Sequence, residues 1–263
     1  DTQYIQWKDY DGIGRTTRNG LNFTERGFGV RGAVGLSDRG NTAVSQMRPG
    51  EFDWDACSPR GCAGSTPAAS SPHCPSRPPT SRRSHGGREE ARHGRVLRPQ
   101  LPPLPVEGIG GETRAQEVNQ RLASLVDVMI GNEEDFTASL GFEVEGVDEN
   151  LTDLDTTAFR AMIEQASSAY PNFQAIGTTL RGVRTATVND WGAIAWSRAE
   201  GFAEATHRPA MEIYDRVGGG DSFASGLAYG LMELDTLQQA VEYGAAHAAI
   251  AMTTPGGHHH ATL

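Results

Sequence analysis

The residues best placed to do chemistry are Asp215-Arg216-Val217-Gly218-Gly219-Gly220-Asp221-Ser222-Phe223. Three consecutive glycines let backbone N–H groups approach a phosphate with no Cβ in the way. Phe223, Leu227, Leu231 and Leu234 follow at helical spacing, so the glycines stand at a helix N-terminus. Unpaired N–H donors and the positive pole of the helix favour an anion there. A carboxylate at the mouth of such a site, Asp221, has a task if it abstracts a proton from an attacking group. The same string also reads as a glycine turn with Asp221 as a helix cap.

The flanks separate these readings. The whole string closely resembles the C-terminal signature of the ribokinase (PfkB-type) carbohydrate kinases, D-T-x-G-A-G-D-x-F. Its Arg-Val-Gly-Gly-Gly-Asp form looks most like the 2-keto-3-deoxygluconate kinase branch. Further segments agree: Val126 to Phe136, Thr178-Thr179-Leu180-Arg181 with Ala186 to Trp191, and the tail Ala251 to Gly256. The resemblance runs in order through residues 112–263 and more loosely through 1–56.

It implies ATP-dependent phosphorylation of a small sugar acid, which needs a base, positive potential and a metal-bound nucleotide. By the match, Asp221 is the base and Gly218, Gly219 and Gly220 form the anion hole. Asn132, Thr178, Thr179 and Arg181 fall at nucleotide-binding positions; ordinary strand propensity accounts for the threonines as well. Asp135 takes the place of the glutamate in the family's Asn-x-x-Glu, which orders magnesium through water. Asn132 and Asp135 also read as the two ends of a capping-box analogue, and both roles can hold together. Arg39, in Leu36-Ser37-Asp38-Arg39, lies where the branch presents a tyrosine and an arginine to the sugar acid. It is suited to bidentate pairing with a carboxylate, while Ser37 departs from the tyrosine. Ala245, Ala246 and Ala249 flank an adenine pocket or, the simpler account, allow close helix packing.

The elements that must position these residues are legible in the periodicity. Helices are expected over Thr113–Leu125, Asn132–Leu140, Thr156–Tyr170, the run after Gly220, and Leu237–Ala251. Strands are expected at Val126–Ile130, Ala175–Leu180, Ala186–Asn189 and Ala193–Trp196, with short lid strands near 20–25 and 29–36. This alternation predicts an α/β fold, a ribokinase-like parallel sheet flanked by helices with the remnant of a small β lid.

Composition sets the outer bounds. A formal charge of −10 on 263 residues argues against nucleic acid or a membrane surface as partner. No apolar run approaches the roughly 20 residues of a membrane span. Three cysteines make no disulfide framework, so a reducing cytoplasm is the default. Homo-oligomerisation is allowed by the sequence but not specified by it.

The average hides an anomaly. Residues 57–105 hold all 3 Cys, 10 of the 14 Pro, and 8 Arg against the acids Glu89 and Glu90. Such a tract cannot bury enough apolar surface to offset chain entropy, and disorder or irregular structure is expected there. The chain therefore divides into a partial lid and sheet segment (1–56), the anomalous segment (57–108), and a nucleotide-binding α/β half (109–263). The family places a β-α-β passage and a substrate arginine in the middle segment. Lys8 is the only lysine, which suggests GC-rich coding, and a pair of compensating frameshifts would spell such a tract. The family's opening strand and glycine-pair loop also find no counterpart, so a fragment with impaired or absent turnover is expected. Two rivals stand beside this reading: an inactive relative retaining only nucleotide-site residues, and a kinase of another sugar or nucleoside. A zinc reading of Cys57, Cys62, Cys74 and nearby histidines fails on spacing, and His258 to His260 read as a polar tail.

Overall fold

The computed structural model describes residues 5–48, 50–51, 96–97, 111–142 and 156–255. The segment expected to be irregular, its Cys/His groups and the histidine tail lie outside these residues, with one exception. Val96–Leu97 form a short strand, β3.

Among the described residues six strands make the central sheet, in the order β3-β4-β5-β6-β7 with β8 also on β6. They are β4 (Val128–Gly131), β5 (Ala175–Val183), β6 (Val188–Ser197), β7 (Gly201–Glu204) and β8 (Arg208–Glu212). β3, β4 and β5 are parallel, as expected for strands separated by helices. β5 and β6 pair antiparallel over nine residue pairs, from Ala175↔Ser197 to Val183↔Asn189. Residues 184–187 are too few for a parallel crossover, so the chain turns back on itself and the sheet is mixed. The two strands expected at Ala186–Asn189 and Ala193–Trp196 are one continuous β6. Its other edge is shared by β7, paired with Ile194–Ser197, and β8, paired nearer its start.

Both faces of the sheet are covered because its strands carry apolar residues at successive positions. Ile130, Ala193 and Ala195 pack with Phe223, Leu227 and Val241 on one side. Met129, Ile176, Leu180 and Ile194 pack with Phe136, Phe159 and Ile163 on the other. The first layer is built by α3 (Gly219–Glu233) and α4 (Leu237–Met252), the second by α2 (Thr156–Ala169) and neighbouring segments, among them α1 (Gly111–Ala123). The helix expected over Asn132–Leu140 is present across residues 133–140, widened to π geometry over Asp135–Ser139.

α3 and α4 meet backbone to backbone. A Cβ added to Gly230 would lie 2.5 Å from Ala240 Cα, and one added to Gly226 2.9 Å from Gly244 Cα. Ala245 and Ala249 are buried in the same layer, in keeping with their packing role. α4 begins in a full capping box formed by Thr236 and Gln239.

A separate antiparallel ribbon, β1 (Leu21–Glu25) and β2 (Val34–Asp38), pairs Leu21 with Asp38 and Glu25 with Val34. Its alternation puts Leu21, Phe23, Val34 and Leu36 on one exposed face and Asn22, Thr24, Gly35 and Ser37 on the other. Two contacts join the adjoining loop to the main body. Arg26 donates to the Tyr214 carbonyl at 3.1 Å and lies 4.3 Å over the Tyr214 ring, and Ala186 N–H donates to the Gly29 carbonyl at 2.9 Å. Among the described residues no helix is long and apolar enough to cross a membrane.

Candidate active site

The site lies at the ends of β4 and β5, where the polar face of the ribbon looks onto the start of α3. A cavity of about 350 Å³ is lined by Asn132 and Glu133 after β4, Thr179 and Arg181 on β5, and Arg216 to Asp221. Asn22, Thr24 and Gly35 of the ribbon close its other side.

The glycines each have a physical reason. Gly218 caps α3 with φ 84°, the left-handed region where a Cβ is costly. Gly219 is buried, and a Cβ there would lie 3.0 Å from the Met252 side chain. That contact explains a glycine where the D-T-x-G-A-G-D pattern carries alanine. The Gly219 N–H donates to the Arg216 carbonyl at 3.3 Å, while the first turn of α3 points its remaining donors outward in the manner of any helix start. Asp221 sits in that first turn, exposed, on the cavity wall.

Asn132 and Asp135 cap each other. The Asn132 N–H donates to Asp135 Oδ2 and the Asp135 N–H to Asn132 Oδ1, both at 2.9 Å. The capping reading therefore holds. Asp135 folds back over Gly131, where a Cβ would approach its own Cβ to 2.8 Å, and Glu133 rather than Asp135 lines the cavity.

β5 alternates about this site. Thr179 and Arg181 face the cavity, whereas Thr178 is fully buried on the opposite face with Ile176 and Leu180. Its hydroxyl has no hydrogen-bond partner among the described residues. Arg181 is an exposed residue on the cavity wall; partial loss of solvation, followed by the nearby Arg216 guanidinium, lowers its pKa, and Glu133 acts in the opposite direction.

Of the residues singled out in the sequence, Asp221, Gly218, Gly219, Gly220, Asn132, Thr179 and Arg181 share one cavity wall. Thr178 and Arg39 do not: Arg39 is an exposed residue just past β2, its carbonyl accepting from Thr42 Oγ1 at 3.1 Å. The structure adds residues that spacing left unmarked. Asn22 and Thr24 come from the polar face of β1, a face that strict alternation could have revealed. Trp191 donates its indole N–H to the Ala245 carbonyl at 2.9 Å while lining the cavity. Arg216 stands inside the motif itself.

A second cavity of about 400 Å³ adjoins the first. Its walls include the loop residues Gly29 and Val30, the β5–β6 turn with Arg184, and Asn189.

The sequence model of the pfkB family carbohydrate kinases matches residues 109–262. The chain belongs to this family. Among solved structures it is similar to the 2-dehydro-3-deoxygluconokinase of Thermotoga maritima, at 27% identity and a TM-score of 0.70. That alignment covers 91% of this chain and 69% of the other. A PfkB family carbohydrate kinase of Listeria grayi shares the fold at 16% identity and a TM-score of 0.66, with 91% and 69% covered. No curated protein matches the chain. The ribokinase-like architecture is thus shown both by the family match and by the likeness to these solved structures.

Proposed function

We propose that this pfkB-family chain binds ATP and transfers its terminal phosphoryl group to a hydroxyl of a small sugar acid of the 2-keto-3-deoxygluconate type. One observation carries the reading: Asp221 stands on the wall of the same cavity as Gly218 to Gly220, Asn132, Thr179 and Arg181. A base, an anion cradle and a cation converge where an acceptor and a phosphate could meet. The Asp221 carboxylate takes the proton of the acceptor hydroxyl as the hydroxyl oxygen bonds to the terminal phosphorus and the bond from that phosphorus to the bridging oxygen breaks, releasing ADP. The backbone donors at the start of α3, with Arg181, take up the charge on the transferred group.

The donor set suits magnesium brought in with the nucleotide. Among the described residues no three His, Cys, Asp or Glu side chains cluster as a metal cage. Magnesium needs only one or two carboxylates beside phosphate oxygens and its own waters. Glu133 on the wall and Asp135 behind it would hold the hydrated ion, which would neutralise phosphate charge. Three cysteines and no disulfide pattern are consistent with a cytoplasmic enzyme.

The acceptor side supports a second reading, a nucleotide-binding relative with little turnover. The ribbon contributes Asn22, Thr24 and Gly35 to the cavity, and among these described residues no cation awaits a sugar carboxylate. Poor positioning of the acceptor forfeits part of the roughly 7–11 kcal/mol that orientation can contribute. Calorimetric titration with magnesium-ATP and a coupled assay with 2-keto-3-deoxygluconate test both readings. Binding with turnover supports the kinase, binding without turnover supports the inactive relative, and no ATP binding overturns both.

A further inference from the structure

We propose that Arg216 is a phosphate-binding residue. With Arg181 it forms a two-guanidinium clamp where the two cavities join, gripping the phosphate chain of a nucleotide whose terminal group points to Asp221. The inference rests on the nucleotide reading above and assigns a role to a position where the family pattern carries threonine.

The two cavities share two lining residues, Arg181 and Arg216. Any ligand that spans both must pass these guanidiniums. Neither arginine makes an ion pair among the described residues, whereas Arg184, also on the second cavity, is matched by Asp190 at 3.0 Å. No carboxylate is among the residues lining the second cavity. The chain's single lysine, Lys8, pairs with Glu51 at 3.1 Å, so arginines must supply the positive charge here.

Like charges on one wall repel, and the lowered pKa of Arg181 reflects its desolvation first and the Arg216 charge second, against the opposing effect of Glu133. A polyphosphate relieves it, because each guanidinium offers paired donors to phosphate oxygens. Threonine in the same place has neither the charge nor the reach. The Arg216 carbonyl accepts the Gly219 N–H, so the clamp and the glycine cradle are one backbone unit.

Asp221 fixes the direction of the ligand: it lines the first cavity and not the second, so the terminal phosphoryl lies in the first and the rest of the nucleotide in the second.

Calorimetric titration of the full chain with magnesium-ATP, inorganic tripolyphosphate and adenosine tests the clamp. The variants are Arg216→Gln and Arg216→Lys; Arg216 is exposed, and unchanged circular dichroism melts would confirm folding. Arg216→Gln should weaken ATP and tripolyphosphate by about tenfold or more and adenosine by less than about twofold, with Arg216→Lys between. Parent-like ATP affinity in Arg216→Gln overturns the clamp and leaves the kinase reading standing. Equal weakening of adenosine also overturns it. If the parent binds tripolyphosphate through Arg216 but not ATP, the clamp stands and the kinase reading falls. If the parent binds neither, both fall.

Discussion

The main-chain N–H of Ala210 donates to Asp190 Oδ1 at 2.6 Å, across a bulge that ties β8 to β6. Asn189 pairs with Met211 and Trp191 with Arg208, so Pro209 and Ala210 together stand opposite Asp190. Ala210 takes φ 51° there, a strained setting for a residue with a Cβ. The other Asp190 oxygen binds Arg184 at 3.0 Å. One carboxylate thus holds both the bulge and the turn beside the second cavity.

This arrangement predicts an acid-sensitive contribution to stability. The Arg184 side chain first, and the Ala210 amide second, hold the Asp190 carboxyl below the ordinary carboxylate range. A depressed folded-state pKa stabilises the fold above the unfolded-state value, and the gain is lost as pH falls through the depressed one. Asp190→Asn should therefore lower the urea midpoint at neutral pH, with the gap to the parent narrowing in acid. A gap that stays constant from neutral to strongly acidic pH would show that the charge is not what matters.

Asp221→Asn should reduce any phosphoryl transfer by about 10²–10⁴-fold, the usual scale of a lost general base. Nucleotide affinity should stay within a few-fold, since the backbone cradle is untouched. Parent-like turnover in a coupled assay would remove Asp221 from the mechanism.

Gly230→Ala should destabilise the protein by about 1–3 kcal/mol, the range for overpacking a tight contact. The obstacle is the Ala240 main chain, which cannot step aside as a side-chain tip would. Gly35→Ala is the control, because nothing lies within 4 Å of the added methyl. Equal urea midpoints for the two variants would contradict the close approach of α3 and α4.

Asp135 can be split into its two roles. Asp135→Asn keeps an oxygen for the Asn132 amide and should cost little stability, whereas Asp135→Ala loses the cap and should cost about 0.5–2 kcal/mol. If the carboxylate also orders magnesium, both variants need more magnesium for the same ATP affinity. An unchanged magnesium requirement assigns Asp135 to capping alone.

What the sequence made legible follows from where backbone geometry constrains residue type. Gly218 needs a left-handed φ and Gly219 lies against the Met252 side chain, so small residues are favoured at both, and Asp221 is then fixed by its spacing. The Asn132 and Asp135 pair was visible for the same reason, as a local three-residue reach. β8 was hidden by Pro209, which ordinarily argues against a strand but is tolerated at a bulge. The single β6 runs through Asp190 to Gly192, residues of low strand propensity apart from Trp191, which is why two shorter strands are expected from the sequence. Thr178 and Thr179 look alike in sequence, and only the registration of β5 decides which one meets the cavity. Arg216 lines both cavities, a shared position with no one-dimensional trace.

The alternation of β6 has an electrostatic side. Asn189 borders the second cavity and Trp191 the first, while Asp190, between them, is turned away and neutralised by Arg184. Sliding this strand by one position would exchange the faces and deliver a negative charge to the wall proposed above to receive phosphate. Misregistered pairing would then be penalised twice, by the lost indole bond to α4 and by repulsion of the anion itself. An anion bound at this wall would act as a proofreader of strand pairing, favouring the one alignment that keeps Asp190 out of its reach.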